Sequence, residues 1–147
     1  MSDLDALYRE LILDHSKHPQ HFGLAPDGDG SGTSHQKNPV CGDEITLRAR
    51  LDGDRIADVS WEGRGCSISQ ASASMLADLV ADESLSRGDA VRLVEGFRAA
   101  LRSRGAIELD EEVYGDAAAL SGVSKFSARV KCAMLAWVAL EDAIAKA

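Results

Sequence analysis

Three cysteines and one aspartate are the residues whose types and surroundings could carry chemistry. They are Cys41 and Asp43 in Asn38-Pro39-Val40-Cys41-Gly42-Asp43, Cys66 in Gly63-Arg64-Gly65-Cys66, and Cys132 in Arg129-Val130-Lys131-Cys132-Ala133. The chain has no other cysteine. Thiolates are soft ligands and a carboxylate can complete the set, so four such groups can close a tetrahedral zinc site. The same thiolates could also carry sulfur as a persulfide. Cys41 and Asp43 flank Gly42, and glycine permits the curved backbone that would aim both side chains at one point. Cys66 is expected at a strand-to-helix junction, where unpaired N–H groups and positive potential favour a thiolate. Cys132 falls in the second turn of a last helix, whose rigid frame would fix its direction.

The residues alone leave two readings open. Isolated cysteines are commonly packed as small apolar side chains. Two of these three, however, sit in glycine-bounded turns, which are poor places for core packing. Against a metal, the separations are long and irregular, and no Cys-x-x-Cys pair occurs.

The elements that would position these groups follow from periodicity. Ser2–Asp14 predicts an amphipathic helix with Ser2 as N-cap and Leu4, Leu7, Leu11 and Ile12 on one face, running out near His18-Pro19. Pro26–Pro39 has no periodicity and reads as a surface loop; its alternating glycines follow no apolar strand, so they are no phosphate cradle. Glu44–Leu51 alternates, Asp52-Gly53-Asp54 is turn chemistry, and Ala57, Val59 and Trp61 alternate again. This is a β-hairpin with one wet face. Helices are expected over Ser67–Val80, Asp89–Arg102 and Ser127–Ala145, with an exposed acidic stretch, Glu108–Glu112, and a short Ala-rich segment before the last. Hairpin first and helices afterwards predicts an α+β fold, a small antiparallel sheet with helices packed on one face. No internal repeat or linker interrupts it, so residues 1–147 are expected to form a single domain.

Composition narrows the function classes. With 147 residues the chain can bury roughly two thirds of the surface its unfolded form exposes. The formal charge of -8 and the absence of a basic stripe argue against nucleic acid. No apolar run approaches membrane-spanning length, and with acidic residues at positions 3, 5, 10 and 14 the opening segment is not expected to be a signal peptide. A cytoplasmic location is expected, where three thiols are reduced and available for metal or chemistry.

Asn-Pro-Val-Cys-Gly-Asp, Gly-Cys-Ser-Ile-Ser-Gln-Ala-Ser-Ala-Ser and Arg-Val-Lys-Cys-Ala-Met-Leu-Ala-Trp resemble the three cysteine motifs of the IscU-like iron–sulfur assembly proteins, specifically the SufU branch. The resemblance extends from Leu7-Tyr8-Arg9-Glu10 and Asp14-His15 to the last helix. Two features favour SufU over housekeeping IscU: Lys131 stands before the third cysteine, where IscU-type scaffolds usually have histidine, and an added stretch separates the second and third cysteines. One departure is Ser127, where SufU-like sequences often have proline; serine is expected to cap the helix instead.

The resemblance implies a zinc-dependent sulfur acceptor. Zinc would be bound by Cys41, Asp43, Cys66 and Cys132. Cys41 would receive persulfide sulfur from a SufS-type cysteine desulfurase and supply downstream Suf assembly components. The alternative is a scaffold on which a transient iron–sulfur cluster is built on the same cysteines. Lys131 argues against it, because lysine cannot replace histidine as a ligand at neutral pH. Arg129, three residues before Cys132 and so on the same helix face, reads either as a solvent-exposed or ion-paired side chain or, as the resemblance favours, as a charge that competes for Asp43 or steadies a thiolate. His15, His18 and His21 are expected at the surface or in partner contacts, and His35 is not expected to ligate. Lys131 and Asp110-Glu111-Glu112 read as solvated, Trp61 and Trp137 as core or interface.

Overall fold

The alternation on either side of Asp52-Gly53-Asp54 is realised as two antiparallel strands in the computed structural model, which describes residues 3–39 and 42–147. In chain order the elements are α1 (Asp3–Lys17), β1 (Ser31–Asn38), β2 (Asp43–Asp52), β3 (Arg55–Arg64), α2 (Ser67–Glu83), α3 (Arg87–Arg102), α4 (Glu111–Tyr114), a 3₁₀ stretch (Gly115–Lys125) and α5 (Ser127–Lys146). The strands form an antiparallel meander in the order β1-β2-β3. Its register places Leu47 beside Trp61 and Ala49 beside Val59, all fully buried. The α5 helix packs on β1 and β2, and α2 packs on β3. The expected α+β arrangement, with helices over one sheet face, is the one observed.

The first strand is absent from the sequence expectation, which read this segment as loop. Its residues, Ser-Gly-Thr-Ser-His-Gln-Lys-Asn, offer no apolar side chain to mark an inward face. The reason is the closeness of α5. A Cβ on Gly32 would overlap the carbonyl oxygen of Ala143. Two residues on, the buried Ser34 hydroxyl donates to Asp142 Oδ2 at 2.7 Å. Backbone approach and one hydrogen bond thus replace apolar packing at this contact.

The far edge, β3, is also covered. Trp61 N–H donates to the His21 carbonyl at 3.3 Å, and Gly23 N–H donates to the Trp61 carbonyl at 2.7 Å. Phe22 meets the Trp61 ring edge-on at a centroid distance of 4.9 Å.

The N-terminal helix runs to Lys17, three residues beyond the expected Asp14. Its inward face is Tyr8, Leu11, Ile12 and His15, whereas Leu7, expected on that face, is 51% exposed. The expectation that His15 lies at the surface is overturned: it is buried. Its Nδ1 lies 2.7 Å from Ser74 Oγ, and its Nε2 lies 2.9 Å from Asp116 Oδ2. Ser74 Oγ also accepts the Gln20 N–H at 2.8 Å. A polar ring inside a core is tolerated because both nitrogens have partners.

Three helices do not account for the rest, as the sequence had suggested. Leu109 is buried, Asp110 caps α4 by accepting the Glu112 N–H at 3.0 Å, and the Ala-rich segment becomes the 3₁₀ stretch. Ala117, Ala118 and Leu120 are fully buried there. Trp137 lies in the core, stacked on Phe97 at 3.8 Å, and its N–H donates to Ser72 Oγ at 2.9 Å. Ser127 does not cap α5: the cap position is Phe126, with no side-chain hydrogen bond.

Two tests follow from the β1–α5 contact. Gly32→Ala forces α5 off the sheet, and chemical denaturation should show a loss of about 1–3 kcal/mol, the usual cost of overpacking; wild-type stability would mean that the helix is free to shift. The second concerns pH. The Ser34 hydroxyl, and after it Lys146, holds the Asp142 carboxyl below the usual carboxylate range. A carboxyl depressed in the folded state adds stability above its unfolded value, about 3.9, and loses it as pH falls through the lower folded value. Ser34→Ala should therefore melt below wild type at pH 7, with the gap narrowing below about pH 4. A gap constant over that range would separate the hydroxyl from the carboxylate.

Candidate metal centre

Asp43 opens β2, opposite Asn38 of β1, and is almost fully buried at 1% exposure. Gly42 before it adopts φ +75, and its N–H donates to the Asn38 carbonyl at 2.9 Å. This is the curved backbone expected ahead of the strand.

Cys66 is the N-cap of α2, at the strand-to-helix junction that the sequence predicted. Its side chain makes no cap hydrogen bond. Its backbone N–H instead donates to Asp43 Oδ1 at 2.9 Å, and its Sγ lies 3.8 Å from Asp43 Oδ2. The carboxylate of β2 therefore sits at the positive end of α2, where negative charge is favoured. The approach is possible because residue 65 is glycine: a Cβ there would overlap Asp43 Oδ1 and crowd Ser69 Oγ.

Cys132 sits in the second turn of α5 and is 5% exposed. Its thiol faces the Ala128 carbonyl at 3.9 Å and opens toward the same point as the other two groups. One donor atom from each of Asp43, Cys66 and Cys132 lies within 4.8 Å of the others. Zinc bonded to two sulfurs at about 2.3 Å in a tetrahedron holds them about 3.8 Å apart. The observed cluster is within about one ångström of that, and its two soft donors and one carboxylate suit the ion. The residues fit zinc.

Cys41, expected as the fourth ligand and the sulfur acceptor, lies outside the described residues, between Pro39 and Gly42. Arg129 stands exposed on the first turn of α5. Lys131 is exposed. His35 projects from the sheet, 2.8 Å from Thr46 Oγ1 and 3.2 Å from Glu44, and takes no part in the cluster. His18 and His21 are exposed. The residue whose role sequence reasoning passed over is Gly65, which counted there only as a glycine bounding the turn at Cys66. The Gly-Arg-Gly spacing ahead of Cys66 was its signal, but its purpose depends on an aspartate in another strand.

Comparison with known proteins places this geometry in context. The NifU-like N terminal domain family model matches residues 7–133. The chain is 42% identical to the zinc-dependent sulfurtransferase SufU of Bacillus subtilis strain 168, over 99% of this chain and 94% of that one. It is 40% identical to the iron–sulfur cluster assembly scaffold protein IscU of Streptococcus pyogenes serotype M1, over 98% of this chain and 86% of that protein. A crystal structure described as a putative iron–sulfur cluster assembly scaffold protein for the SUF system, from Fervidobacterium islandicum AW-1, superposes with a TM-score of 0.81 at 33% identity, covering 92% of this chain and 94% of that one.

Gly65→Ala tests the carboxylate's placement. The added methyl displaces Asp43 or Ser69, so zinc should be lost to a competing chelator at least tenfold more readily, the usual effect of disturbing a ligand's support. Retention equal to wild type would mean that the Asp43 carboxylate does not hold the metal.

Proposed function

We propose a sulfur-accepting role for this chain, which belongs to the NifU-like N-terminal domain family and within it to the SufU-type branch. It acts as a zinc-dependent sulfurtransferase in iron–sulfur cluster assembly, taking persulfide sulfur from a SufS-type cysteine desulfurase and passing it to downstream Suf components. The observation that carries this reading is the convergence of Asp43, Cys66 and Cys132 from three separate elements, with Cys41 two residues before Asp43 in sequence. The name of the Bacillus subtilis relative, a zinc-dependent sulfurtransferase, supports it.

Zinc bound by Cys41, Asp43, Cys66 and Cys132 would keep the thiols deprotonated and shield them from oxidation. Cys66, at the N-cap of α2, and Cys132, within α5, are held by these helices, and Asp43 is clamped by the Cys66 N–H. Cys41 lies in sequence within a connection, where reactive groups are commonly placed. Its thiolate attacks the outer sulfur of the desulfurase persulfide. A sulfur–sulfur bond forms at Cys41 as the donor's sulfur–sulfur bond breaks, and the electron pair leaves on the donor cysteine as a thiolate. A later acceptor thiolate takes the outer sulfur from Cys41 by the same exchange. No external oxidant or reductant enters.

The second reading is a scaffold that assembles a cluster on the same residues, as the name of the Streptococcus pyogenes relative states for that protein. The exposed Lys131 before Cys132 weighs against it, since an ammonium has no lone pair to offer.

With desulfurase and cysteine, mass spectrometry should find an adduct of about 32 Da on the Cys41 peptide, one sulfur of persulfide chemistry. Cys41→Ala should abolish stimulation of the desulfurase, and Asp43→Ala should lose both zinc and stimulation. An adduct confined to Cys66 or Cys132 would reassign the acceptor. A protein that turns brown with iron and sulfide under anaerobic conditions, and leaves the desulfurase unstimulated, would establish the scaffold reading instead.

A further inference from the structure

We infer that the cleft between α3 and α5 is a docking groove for an acidic peptide segment, bearing an apolar side chain, of a partner protein. The cleft has a volume of about 360 Å³. Val130, Met134 and Val138 of α5 form its apolar floor, and Arg102, Arg104 and Lys131 stand exposed around it. The inference rests on this surface and not on the sulfur chemistry proposed above.

Charge is the first argument. The chain carries 24 acidic against 16 basic residues, so its arginines have carboxylates to choose from. Arg64 pairs with Glu44, Arg92 with Asp89, and Arg98 with Glu95 and Glu141. Among the described residues, Arg102, Arg104 and Lys131 form no ion pair, although they share one cleft. Lys125 and Arg129, both exposed, add charge of the same sign on the segment leading into α5 and on its first turn. A concentrated, unneutralised positive field on an acidic protein attracts anionic partners and repels few.

The floor is the second argument, because it selects among anions. A simple anion needs cations but gains nothing from Val130, Met134 and Val138. A membrane surface meets a convex face, whereas these cations ring a cleft. A peptide with carboxylates spaced around an apolar side chain uses both features. Ile107–Val113 of a second copy has the composition but not the freedom, since Leu109 is buried and Asp110 is engaged as the cap of α4. The occupant is therefore a segment of another protein. It would lie against the helix that carries Cys132, beside Lys131.

The test uses the full chain and a fluorescein-labelled peptide of alternating glutamate and leucine, followed by fluorescence anisotropy. Binding should weaken about tenfold between low salt and physiological salt, as screening shortens the reach of the charges. Arg102→Glu with Arg104→Glu, both on exposed side chains, should weaken it at least tenfold. Replacing the leucines of the peptide by serine should cost about another tenfold, the scale of one or two buried methyl-bearing groups. Arg50→Glu, an exposed cation on the sheet, should change nothing. In the wild-type protein, amide shifts on adding the peptide should concentrate in residues 130–138, which locates the groove without any variant. The proposal is overturned by undetectable binding, by equal binding of the serine peptide, or by shifts elsewhere. Tighter binding to phosphatidylserine vesicles would point to a membrane, and salt-dependent dimers in sedimentation that exclude the peptide would point to a second copy; either would also overturn it.

Discussion

Everything in this molecule depends on how closely α5 lies against the sheet. Ala133, Ala136, Ala139 and Ala143 are all buried along the helix, and small side chains let a helix axis approach its neighbour. On the sheet side the match is Gly32, where no side-chain carbon fits beneath the Ala143 carbonyl. Ser34 ties the strand to Asp142, and Trp137 stacks on Phe97 behind it. These contacts lie in the C-terminal two thirds of the helix, and the helix is rigid. They therefore set the position of Cys132, near its other end.

The second constraint crosses between β2 and α2. A helix start leaves backbone N–H groups without partners, and here one of them is met by a carboxylate from a strand. That hydrogen bond helps to orient Asp43, satisfies an orphan donor and brings Cys66 to the same place. The donor cluster is thus a by-product of two packing solutions, α5 on the sheet and α2 on β3. This explains the long, irregular spacing of its residues. They meet through the fold and not through a local motif.

Much of this was legible in the sequence, for physical reasons that differ from residue to residue. The hairpin strands announce themselves because Ile45, Leu47, Ala49 and Leu51 alternate with side chains that reach solvent. Asp43, Cys66 and Cys132 were legible by residue type and by the glycines beside two of them. The first strand was not, because its buried residues, Gly32, Ser34 and Asn38, include no apolar side chain. His15 misled because imidazole is usually at the surface, and only Ser74 and Asp116, distant in sequence, make its burial tolerable. Leu7 misled because four apolar residues near one helical face do not reveal which of them the neighbouring helix covers. The Ala-rich segment lacked a helical period because its 3₁₀ turn advances three residues at a time.

The polarity that hid β1 has a consequence at the margin of the sheet. An antiparallel meander of three strands has two open rims, and an open rim is a template on which another chain can add a strand. On the β3 side, the segment carrying His21, Phe22 and Gly23 takes up the backbone groups of Trp61. On the β1 side, the rim carries Thr33, His35 and Lys37 and no apolar residue. Self-templating segments of the amyloid kind need dry, interlocking side chains to reward each added strand. This strand offers none, so the same residues that bring α5 close also leave the sheet poorly suited to recruiting its own kind.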